Sequence, residues 1–218
     1  AHLQAAQSEL QRAVEANPAD WIAHTLFLDV AAGLDLPIEF VEQHFAAATA
    51  CRPQYRDAYV RKLDYLRRQS ARYPGRFVAF ARECIETRLW KQRVPQAVWE
   101  VIYRACHDAQ NHATKYSALQ SPDLWDALRL YHDSLQTGQV SATEKDTTGK
   151  YYALWGAYSG HYVDVFDAFW KIYIAFEDNY AADEIFGPAS AHAFVGDLLG
   201  AHAGYASFKP LAAACLAL

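Results

Sequence analysis

Apolar positions recur at steps of three and four from the start of the chain. Leu3, Ala6, Leu10 and Ala13 form one stripe, which predicts a helix with a single apolar face. Asn17-Pro18 ends it, because proline disfavours helical geometry in the residue before it. A second helix is predicted over 20–32, with Ala23, Leu26, Phe27 and Val30 on its apolar face and Gly33 stopping it. Pro37 suits the first turn of a third helix, which carries Phe40, Val41, Phe45 and Ala48 and ends at Arg52-Pro53. A fourth is predicted over 55–69 and a fifth over 75–87, separated by Tyr73-Pro74-Gly75. Pro95 opens a sixth through Trp99 and Tyr103 towards His112.

Ser121-Pro122-Asp123 reads as a helix start: a serine cap, proline in the first turn, and a carboxylate at the positive end of the helix dipole. Leu124, Leu128, Tyr131 and Leu135 share one face of that helix, and Gly138 closes it. Ser141 and Glu144 match a capping box. Further helices are predicted through Tyr158, over 162–173 and over 190–199. No strand-like alternation lasts long enough to compete, so the predicted class is all-α. The architecture is stacked antiparallel helix hairpins, as a solenoid or an irregular helical bundle, read as one domain over 1–218.

An internal repeat gives this series its order. Shifting the chain by 35 residues brings Pro18 onto Pro53, Ala13 onto Ala48, Leu10 onto Phe45, Leu28 onto Leu63 and Asp29 onto Asp64. One helix hairpin cannot bury its own apolar face, so neighbours stack and share a core. A two-helix period near 34 residues resembles the tetratricopeptide repeat. Leu10, Ala13 and Pro18, then Phe45, Ala48 and Pro53, match that family's second-helix pattern. The run Gly160-His-Tyr162-Val-Asp-Val165, followed by Phe169, echoes it again with Val165 where the family has alanine. The family's first-helix Trp, Leu, Gly and Tyr appear as His24, Phe27, Leu28 and Ala31, then as Tyr59, Lys62, Leu63 and Leu66. The resemblance covers about residues 1–68 and 150–175. It implies a concave groove lined by the first helix of each hairpin, with Asp29, Asp57, Val60, Asp64, Arg67 and Arg68 facing it.

Composition adds bounds. The chain has 218 residues, 52% of them hydrophobic. That is enough to bury about 70% of the unfolded surface without a metal or disulfide staple. Cys51, Cys84, Cys106 and Cys215 show no zinc-type spacing and read as buried thiols of a reducing, cytoplasmic compartment. No transmembrane run and no signal peptide are read. The chain begins at Ala1 and holds no Met, which leaves a removed leader open.

The net charge of −5 is unevenly spread. Residues 1–51 sum to −6, residues 52–93 to +8 and residues 121–218 to −7. Ten of the twelve cations in the basic block are arginines, suited to forked bonds with carboxylates and phosphates. Such a block either pairs with its acidic flanks or faces an acidic protein or a phosphate ligand.

Catalytic motifs are absent: no H-E-x-x-H, no phosphate loop, no nucleophile elbow. His107 and His112 stand five apart and diverge on a helix. His192 and His202 near Asp197, and the acidic group Asp178, Asp183 and Glu184, read as polar surface. Cys84 and Cys106 have no partner nameable from spacing. Ten aromatic residues between Tyr151 and Phe176 exceed what one helix face can hide, so some of them can contact a partner.

The function read from these features is a non-enzymatic module binding an acidic protein partner, with no cofactor and no metal. Its contacts are Asp57, Arg61, Asp64, Arg67 and Arg68, together with Trp155, Tyr158 and Tyr162. The alternatives are a helical enzyme with a pocket assembled from distant His, Asp and Tyr, or a phosphate or nucleic-acid binder using residues 52–93. Nucleic acid ranks below protein because the whole chain is acidic.

Overall fold

Asp20 starts the best-defined helix. Its carboxylate accepts hydrogen bonds from the amides of Ile22 and Ala23 at 3.0 and 3.1 Å, two of the donors that a helix start leaves orphaned. In the computed structural model, which describes residues 2–107, 117–161, 164 and 165, that helix is α2, Trp21–Leu34. It follows α1 (His2–Ala16) and precedes α3 (Ile38–Cys51), α4 (Arg56–Arg68), α5 (Arg76–Glu86) and α6 (Gln96–His107). A 3-10 turn at Ser117–Gln120 leads to α7 (Pro122–Leu135) and α8 (Ala142–Tyr158). Among the described residues there is no strand, so the all-α class holds. The predicted helices over 162–173 and 190–199 lie outside the described residues.

The chain divides into two compact units, Ala1–Ala142 and Thr143–Leu218. In the first, α2 packs on α4 and α4 on α6, making a row of every second helix. α3 packs against α2 and α4, α5 against α4, and α5 also packs on α7. Each helix of the row contributes fully buried apolar residues: Phe27, Leu28 and Ala31 from α2, Leu63 and Leu66 from α4, Val101 and Ile102 from α6. A buried leucine is worth roughly 1.5–3 kcal/mol over an exposed one, so this shared core holds the row together. α1 has no fully buried residue and packs chiefly on α2. In the second unit, Tyr152 and Trp155 of α8 are buried, and the Tyr152 hydroxyl donates to the Asp164 carbonyl at 3.4 Å.

The 35-residue shift recurs in side-chain contacts. His24 bonds through Nε2 to the Pro18 carbonyl at 3.0 Å, and the Tyr59 hydroxyl donates to the Pro53 carbonyl at 2.7 Å. Each pair ties the first turns of a helix to the proline before it, 35 residues apart in the chain.

Two sequence expectations fail locally. Gly33 does not stop α2. It lies within the helix, where a Cβ would stand 2.6 Å from Leu3 Cδ1, so its smallness serves the approach of α1. The helix ends instead at Asp35, in left-handed geometry at φ 56°. Ser121 occupies the cap position of α7 but makes no side-chain cap bond there. The neighbouring Asp123 instead accepts from the Gly75 amide at 2.9 Å, fixing the start of α5 to α7. Gly75 at φ 74° adopts a backbone that a side chain would strain. Gly138 closes α7 as expected, its amide donating to the Ser134 carbonyl at 2.9 Å, and it lies against Trp90, whose ring would stand 2.8 Å from an added Cβ.

Candidate functional site

Positions 57, 60, 61 and 64 are separated by steps of three, one and three, which a helix gathers on one face. α4 presents that face between its row neighbours. Asp29 from α2, Asp57, Val60, Arg61 and Asp64 from α4, and Glu100 and Arg104 from α6 line a pocket of about 180 Å³. No residue of α3 or α5 lines it.

Ion pairs stitch the row together across this face. Arg61 pairs with Asp29 on α2, and Arg56 with Glu100 on α6. Glu100 also takes Arg104, one helical turn on. Asp64 holds two arginines: Arg67 donates from Nε at 3.0 Å and from Nη2 at 2.7 Å, and Arg68 from Nε at 2.8 Å. Asp57 accepts from the Tyr55 hydroxyl at 3.1 Å.

The arginines are crowded. Burial, then the charge of Arg93, lowers the Arg56 pKa; Asp57 opposes this and Arg104 adds to it. Burial, then Arg104, lowers that of Arg61. Both remain charged at neutral pH, because arginine starts so high. The Nε atoms of Arg56 and Arg61 are buried with no acceptor.

Of the residues named from sequence, Asp57, Arg61 and Asp64 line the pocket, with Asp29 and Val60 from the implied groove. Arg67 and Arg68 do not; they fold back onto Asp64. Trp155 is buried within α8. The Tyr158 side chain and Tyr162 lie outside the described residues. Glu100 and Arg104 were missed.

Other reactive side chains sit inside the helix layers. His24 and His44 meet through their Nδ1 atoms at 2.8 Å, with the His44 ring stacked on Phe27. His24 Nε2 also meets the Pro18 carbonyl, to which it donates at 3.0 Å. Burial first, then the charge of His24, pulls the His44 pKa down to about 4. Lys62 is buried on α4, paired with Glu42 at 2.6 Å and held over the rings of Phe45 and Phe80.

Cys84 and Cys106 are buried as expected, but Cys51 is exposed. Burial pushes the Cys84 thiol well above the usual range, which opposes a nucleophilic role. His112, the histidines and acidic residues after 177, and Cys215 lie outside the described residues. Among the described residues no three His, Cys, Asp or Glu converge as a metal site requires, and no helix is long and apolar enough to cross a membrane.

Comparison with family models, with curated proteins and with solved structures finds no match to this chain.

Proposed function

We propose that the chain is a non-enzymatic interaction module, built of tetratricopeptide-like hairpins, whose α2–α4–α6 face holds a segment of a partner protein. The pocket on that face carries the reading. It draws side chains from every second helix, which is where stacked hairpins present a groove. The 35-residue recurrence of the proline contacts supports the repeat itself. Ile22 and Leu26 are exposed on α2 and precede Asp29 at steps of four and three, so an apolar strip leads up to the charged pocket. Such a combination suits a peptide better than a small polar substrate, because apolar anchors supply affinity and charges set register.

The test is site-specific photo-crosslinking in a lysate of the source cells. A photoreactive side chain replaces Asp29 on the groove face or Glu39 on α3, both solvent-exposed. Expected is a discrete crosslinked protein from position 29 and none from position 39. Equal products from both positions, or none from 29, end the reading.

A further inference from the structure

The basic block over 52–93 divides in two. Its first part is spent inside the molecule: Arg56 pairs with Glu100, Arg61 with Asp29, Lys62 with Glu42, and Arg67 and Arg68 with Asp64. Arg52 lies over the Trp21 ring. The second part is not spent. Arg72, Arg76, Arg82, Arg88, Lys91 and Arg93 are exposed, and none of them pairs with a carboxylate among the described residues. Arg72 lies over the Tyr73 ring, which leaves its charge uncompensated.

These six cations follow α5. Arg72 and Arg76 stand at its start. Arg82 lies on its outer side, away from the buried Phe77, Phe80, Ala81 and Cys84. Arg88, Lys91 and Arg93 occupy the connection to α6. A helix of 11 residues is about 16 Å long, so the charges form a ridge and do not converge on a point. The carboxylates of this stretch are Glu83 and Glu86, and Asp123 is held against the Gly75 amide. Six cations against three carboxylates leave a surplus of three. Neither α5 nor the connection lines the groove pocket, so the ridge is a separate surface.

The connection is a compact loop closed on itself. Trp90 is buried at its centre, against Gly138 and Tyr131. The Arg93 amide donates to the Trp90 carbonyl at 3.0 Å, and the Val94 amide to the Leu89 carbonyl at 3.2 Å. A loop anchored by its own buried ring holds Lys91 and Arg93 at the surface in a fixed place.

We propose that this ridge binds the backbone of double-stranded nucleic acid and takes its affinity from phosphates, not from base sequence. Phosphates repeat along a duplex as the cations repeat along α5, whereas a small anion would meet only one or two of them. A protein partner draws its affinity from apolar anchors. The ridge has none: the exposed large apolar residues among those described are Leu3, Ile22 and Leu26, all on α1 and α2. Single strands are held by stacking on open aromatic rings. Here Phe77, Phe80 and Trp90 are buried, and Tyr73 is half-buried beneath Arg72. The acidity of the whole chain does not oppose this, because residues 1–142 carry sixteen cations and sixteen carboxylates and the net −5 comes from the rest.

The test is fluorescence anisotropy of a labelled short DNA duplex of mixed sequence, titrated with the full chain at rising salt. Saturable binding is expected, with log affinity falling linearly with log salt by roughly 0.9 per phosphate contact. A second duplex of unrelated sequence is expected to bind alike. Arg82→Gln with Lys91→Gln removes two exposed, unpaired cations. It is expected to keep the helical spectrum, to weaken binding about tenfold at low salt and to reduce the slope by roughly 1.8. Arg12→Gln with Lys150→Gln removes two cations that already hold carboxylates, and is expected to bind as the parent does.

No duplex binding, an affinity indifferent to salt, or equal loss from both double variants overturns the proposal. A single strand bound more tightly than its duplex does so too. Polyglutamate bound as tightly as the duplex would make the partner an acidic protein, and also overturns it.

Discussion

His44 makes the residue scale concrete. Its ring lies between α2 and α3, stacked on Phe27 and bonded to His24, in a place where a neutral imidazole fits and a charged one does not. In the unfolded chain it takes a proton near pH 6.5; in the folded chain only near about 4. Between those values the unfolded state binds more protons, so stability falls as pH drops and is fully kept above about 6.5. The slope approaches about 1.4 kcal/mol per pH unit at its steepest. Urea titrations at several pH values should show this loss in the parent and a shallower one in His44→Leu. Identical slopes would assign the acid sensitivity to other groups. The residue scale is also where the sequence misleads. Lys62 occupies the place that Phe27 holds one repeat earlier, yet it is buried at 4% exposure, because its ammonium lies over the rings of Phe45 and Phe80 and pairs with Glu42.

At the scale of elements, the small residue of the repeat is the testable feature. Ala48 is 1% exposed on α3, a helix that packs against both α2 and α4, while Ala46 on the same helix is exposed. Ala48→Leu should overpack that contact at a cost of about 1–3 kcal/mol. Ala46→Leu should stay within about 0.5 kcal/mol of the parent. Thermal unfolding of both variants decides it, and equal tolerance would sever the alanine match from the packing. The helices up to α5 were legible because proline and glycine punctuate them and the apolar steps persist. Gly33 was misread because a packing glycine and a terminating glycine look alike in one dimension; Leu3, thirty positions away, makes the difference. Asp29, Asp57, Val60 and Asp64 were legible through the repeat. Glu100 and Arg104 were not, because α2 starts at Trp21 and α4 at Arg56, 35 residues on, whereas α6 starts only at Gln96. The longer path from α5 through Trp90, seated on Gly138, breaks the register that the shift relies on.

For the first unit as a whole, the helix row sets the order in which structure is lost. α4 touches α2, α3, α5 and α6, and its Leu63 is completely buried. Leu63→Ala leaves a cavity where these helices meet and should cost about 2–5 kcal/mol. Because stacked hairpins take their stability from interfaces with neighbours, that loss should be felt across the whole row. α1 is the opposite case. It has no fully buried residue, and its Leu10 is only half-buried. Leu10→Ala should therefore loosen α1 alone, lowering a local opening energy without touching the rest. Hydrogen exchange of both variants separates the cases. Leu63→Ala is expected to reduce protection in α2, α4 and α6 together, and Leu10→Ala to reduce it in α1 while those three keep the parent's rates. Should Leu10→Ala strip protection from α6 as well, the unit folds as one undivided core, and the row of paired hairpins loses its energetic meaning.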